Sequence, residues 1–126
     1  MKNFVRYNLI ISNDANLSVS GGTTVWNELY RYNPSTSTKA LLLSLLIKNT
    51  NSSNSSQSDM IVAAQIIDAN NNIVYPLLSF QTLSNKDEFY IDRTKQLIVL
   101  NPQDKIRIST TGTGLYAYCS VLENVN

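Results

Sequence analysis

Short apolar runs of β-type residues, each cut off by a turn rich in Asn, Ser, Gly or Pro, recur along the whole of this chain. Residues 97–110, LIVLNPQDKIRIST, show the pattern at its clearest. Two apolar runs flank the tetrad Asn101-Pro102-Gln103-Asp104. Asn in the first position and Pro in the second are the chemistry of a type I turn. Beyond the turn, Lys105, Arg107 and Ser109 alternate with Ile106, Ile108 and Thr110, which predicts one wet face and one buried face. Tyr116, Tyr118 and Ser120 alternate with Leu115, Ala117, Cys119 and Val121 in the same way.

The same grammar extends toward the N-terminus. Residues 4–11 form a β-rich run that ends at Ser12-Asn13-Asp14. Residues 23–32, TTVWNELYRY, set Tyr30 and Tyr32 on one alternating face and stop at Asn33-Pro34, where proline disfavours continuation. Residues 39–48, KALLLSLLIK, contain good helix formers, but their length and polar punctuation suit a buried central strand. Residues 49–58 lack any apolar side chain and are expected to lie in water as a loop. A strand over 60–68 is followed by Asn70-Asn71-Asn72, a tight turn in which Asn tolerates positive φ. Pro76 makes 73–81 an edge strand or one carrying a bulge. Shorter runs follow at 88–92, 96–100 and 105–110, and 115–122 closes the series after the turn at Gly112 and Gly114. About eight or nine strands so spaced indicate an all-β fold, an antiparallel β-sandwich of jelly-roll type. An α+β domain with 39–48 helical is the alternative. At 126 residues the chain suits one core. Residues 1–27 read as an N-terminal strand or arm before a sandwich over 28–126, or as part of one domain with it.

Reactive groups are scarce. There is no His and one Cys, so the common catalytic triad cannot form and no intrachain disulfide is expected. Cys119 sits in an alternating strand and reads as a small core residue. Asp87, Glu88, Asp92 and Asp104 are the only candidates for paired acid–base work, and their places at turns and strand ends suit solvated charges better. Asp68, Asn70 and Asn72 lack the glycine and closing glutamate of a calcium loop. No glycine-rich phosphate loop is present, and no cofactor or metal is expected. With 15% charged residues and a net charge of +1, no electrostatic footprint for nucleic acid or membrane exists. The apolar run at 40–47 is too short to span a bilayer, and that at 9–11 is too short for a signal-peptide core. A chain made and used without secretion is expected.

From about Glu28 to Glu123 the chain resembles a family of small phage virion proteins. The motifs that carry the resemblance are Tyr32-Asn33-Pro34, the long apolar run from Leu41 that ends in Asn49-Thr50, the polar loop and second apolar run over 52–68, the step from Leu100 to Arg107, and the closing run from Tyr118 to Glu123. One departure is Gln103, where the family often has Gly. The resemblance implies a β-sandwich used as a head-decoration, head-fibre or tail-associated module, with no catalytic residues.

A non-enzymatic structural protein of a bacteriophage virion is therefore the expectation, foremost an auxiliary capsid protein bound to the lattice of the major capsid protein. A head-fibre, neck or tail component is the alternative within the virion, and a carbohydrate-binding module the alternative from another class. Self-association is compatible with any of them. Tyr and Trp are enriched at protein contacts, which makes Phe4, Tyr7, Trp26, Tyr30 and Tyr32 the candidate contact residues. Phe4 and Tyr7 read equally well as part of a first strand.

Overall fold

The computed structural model describes residues 2–19, 21–51 and 59–126. Nine strands are present among them: β1 (Asn3–Ile11), β2 (Asn27–Arg31), β3 (Lys39–Asn49), β4 (Met60–Ile67), β5 (Ile73–Leu83), β6 (Glu88–Asp92), β7 (Ile98–Leu100), β8 (Lys105–Thr110) and β9 (Leu115–Val125). A single 3-10 turn, Asp14–Asn16, follows β1. Residues 39–48 are a strand and not a helix. Most of the polar loop expected at 49–58 lies outside the described residues.

The strands form two antiparallel sheets. One runs β1-β9-β3, with β6 and β7 lying end to end along the far side of β3. The other runs β2-β8-β4-β5. Among the described strands, six of the eight successive connections cross from sheet to sheet, and the first and last strands of the chain are neighbours. That is the path of a jelly roll.

Alternation explains the core. Leu42, Leu45 and Ile47 of β3, Val62, Ala64 and Ile66 of β4, Ile106 and Ile108 of β8, and Leu115, Ala117, Cys119 and Val121 of β9 meet between the sheets. β5 lies at the edge of its sheet, as Pro76 requires. The Asn71 turn has φ of 63°, and the Asp68 carboxylate accepts the backbone N–H groups of Asn70 and Asn72 at 2.9 and 3.0 Å.

Two local expectations give way. The turn at 101–104 closes through the N–H of Asp104 to the carbonyl of Asn101 at 3.0 Å, with Gln103 at φ of 74°. Positive φ at the third position marks a type II turn, not type I. The family glycine would sit at this position without strain. Ser109 is buried rather than wet. The segment between β1 and β2 folds over that part of the four-stranded sheet, and the Ser18 hydroxyl lies 2.7 Å from that of Ser109.

Candidate interaction surfaces

Of the groups with chemical potential, Cys119, Asp87, Asp92 and Asp104 have structural roles, and Glu88 is exposed at the start of β6. Cys119 is fully buried, and burial pushes its thiol up to about 12. Asp87 accepts the N–H of Ser84 at 3.1 Å. Asp92 caps its own turn through Thr94, whose hydrogen bond holds the carboxyl below the usual carboxylate range. Asp104 accepts the N–H of Asn101 at 2.8 Å, and burial raises its carboxyl against that bond. Among the described residues no three His, Cys, Asp or Glu side chains gather as a metal site.

The five candidate contact residues separate into three environments. Tyr32 is 1% exposed, and its hydroxyl bonds the Thr38 hydroxyl and accepts the N–H of Asn124 at 3.3 Å. Tyr30 is 3% exposed and donates its hydroxyl to Glu123; burial and that carboxylate raise its phenol. Both belong to the core, which corrects their expected place at a contact surface. The cause is a register shift in β2 between Glu28 and Tyr30. It breaks the alternation and turns both Leu29 and Tyr30 inward.

Phe4 and Tyr7 remain at the surface of β1, 58% and 46% exposed. The Tyr7 ring packs at 5.1 Å from that of Tyr30. Trp26 lies apart from them, beside β8. The Arg107 guanidinium is 4.5 Å from its ring centroid, and Phe80 meets it edge-on at 6.4 Å. Arg107 is held in turn by the Gln65 side chain at 2.6 and 2.8 Å. Phe80 has φ of 45°, a conformation costly for an aromatic residue. Next to this cluster, a groove of about 300 Å³ runs between the segment before β2 and the sheet, lined by Ser18, Thr24, Ile61, Phe80, Ser109 and Thr111 among others.

A larger surface emerges from the strand register. On the outer face of the five-stranded sheet, cross-strand neighbours form four rows. One is Ile10, Tyr116, Lys48 and Glu88; the next is Asn8, Tyr118, Leu46 and Tyr90. The third is Arg6, Ser120, Ser44 and Asp92, with the two serine hydroxyls 2.6 Å apart. The fourth is Phe4, Leu122, Leu41 and Val99, wholly apolar. Leu97 stands beside it, exposed. Tyr116 and Tyr118, expected on a wet face, are only half-exposed there. The signal for this face was present in β3, whose Leu41, Leu43 and Leu46 stand on the side away from the core.

The two-sheet jelly roll is a fold shared by viral capsid and lectin domains. No protein-family model and no curated protein matches the sequence. Among solved structures, the chain is similar to one in the T13 particle of infectious bursal disease virus, with 12% identity and a TM-score of 0.53, over 96% of this chain and 31% of the viral one. It is also similar to a mutant VP2 protein of that virus in derived T=1 particles, with 13% identity and a TM-score of 0.51, again over 96% and 31%. At such identities the likeness is one of fold. The chain spans about a third of the length of these viral proteins, and they come from an animal virus, so the likeness is to a viral capsid β-sandwich and not to phage proteins in particular.

Proposed function

We propose that the chain is a non-enzymatic structural protein of a virion, specifically an auxiliary protein that decorates the major capsid protein lattice of a bacteriophage. The observation that carries this reading is the four-row outer face of the five-stranded sheet, mounted on a jelly roll of the viral capsid type. Contact with a partner surface is work that such a face can do. Burying its aromatic and aliphatic side chains against a capsid subunit supplies the attraction, and repetition over a lattice multiplies a modest single-site affinity. The same face would serve a head-fibre, neck or tail component, with another virion protein as partner.

Co-sedimentation with particles lacking the protein tests the proposal. The full chain should pellet with them. Leu97→Asp combined with Val99→Asp should weaken binding by about tenfold or more while leaving thermal stability unchanged, because both side chains are exposed. A parent chain that stays in the supernatant, or a double variant that pellets like the parent, contradicts it.

A carbohydrate-binding role is the second reading. It is favoured by the hydroxyl-lined groove beside Phe80 and Trp26. A glycan array without a binder removes it.

A further inference from the structure

We propose that β1 is the pairing edge of a two-fold dimer, in which the β1 strands of two copies lie antiparallel with Tyr7 on the axis. Both sheets end in edge strands, and an open edge is a template for another chain unless it is blunted. Three of the edges are blunted. β2 is five residues long, shifted in register, and carries the Glu28–Arg31 ion pair at 2.9 Å. β5 contains Pro76, several register shifts and Phe80 at positive φ. On the far side of β3 the edge is broken into β6 and β7, with Glu88 and Asp92 on the former. β1 has none of these devices. It runs nine residues in unbroken register with β9, contains no proline, and bears one charge, on Arg6.

Its sequence identifies the occupant. Around Tyr7 the strand is self-complementary in character: Arg6 mirrors Asn8, Val5 mirrors Leu9, and Phe4 mirrors Ile10. Antiparallel pairing on that centre sets apolar residues opposite apolar ones and each arginine opposite a neutral asparagine, with no like charges directly opposed. Phe4 and Ile10, 58% and 65% exposed, would meet across the junction on the outer face. The Tyr7 rings would meet on the inner side, where each already leans on Tyr30. A two-fold axis normal to the sheet keeps both outer faces on one side, so the dimer presents two copies of the face described above. The pairing itself needs no virion, and its loss with particle binding retained would separate the two proposals.

Sedimentation equilibrium across micromolar to millimolar protein tests it. One strand pair buries little surface, so a concentration-dependent species of twice the 14.1 kDa monomer mass is expected. Asn8→Arg sets like charges opposite Arg6 twice and should weaken the dimer about tenfold; Asn8→Glu should strengthen it by a similar factor. Both variants should keep the parent far-UV circular dichroism, since residue 8 is exposed. Oxidised Tyr7→Cys, made together with Cys119→Ala because Cys119 is its direct neighbour on β9, should cross-link to a dimer, because opposed residues on the axis lie within disulfide reach, whereas Cys119→Ala alone, which has no thiol, should not. Monomer mass throughout, a dimer indifferent to both Asn8 substitutions, or a Tyr7→Cys protein that stays uncross-linked would overturn the assignment.

Discussion

Burial keeps two weak acids of the core neutral, the Cys119 thiol and the Tyr30 phenol. Each has a folded-state value above its unfolded one. Its contribution is therefore fully present below the unfolded value and is lost as pH rises. For Cys119 the window opens near the ordinary 9.0 and closes at about 12. Unfolding free energy should be level from neutrality to about pH 9, then fall by up to about 1.4 kcal/mol per pH unit for each group. Cys119→Ala should delay the onset to about pH 10, where unfolded tyrosine begins to ionise. Urea titrations along that pH series check this; an onset unmoved by the substitution contradicts it. The burial of Cys119 was legible in the alternation of β9. Tyr30 was not, because a bulge leaves no mark on a two-residue period. Gln103 was legible only through the family glycine, since Asn-Pro alone suits either turn type.

At the level of elements, we propose that β1 is an integral strand of the sandwich and not an arm. Ile11 is fully buried, Val5 and Leu9 pack on the core, and the whole strand pairs with β9. Burying a large aliphatic side chain contributes about 1.5–3 kcal/mol. Losing one such residue and parts of two more removes about 5 kcal/mol, comparable with the whole stability of a small domain. Deletion of residues 1–12 should yield an insoluble or unfolded product, visible as loss of the β signal in circular dichroism. A folded, soluble product would mean an arm instead. The strands and their turns were legible because Asn, Pro and Gly punctuate them. The neighbours of β3 were not. Its apolar side chains point both ways, and only the register shows that one side meets the core while the other forms the outer face with β1 and β9. The Trp26, Arg107 and Phe80 cluster was hidden for a similar reason: it joins segments far apart in sequence and depends on a positive φ in β5.

For the molecule as a whole, a jelly roll closes its core between two sheets and leaves the outer faces to recognition. Here one face is partly covered by the segment before β2, and the other mixes apolar, aromatic and polar rows and holds no metal-type cluster among the described residues. That division of labour is the basis of the virion reading: attachment by surface, reinforced by repetition. For that proposed role, a cryo-EM map of intact virions searched for this domain is the most direct measurement. The account predicts sandwich-shaped density on the outside of the capsid, repeated with the lattice, with the β1-β9-β3 face against the shell. A well-resolved particle with no such domain anywhere on it would contradict it.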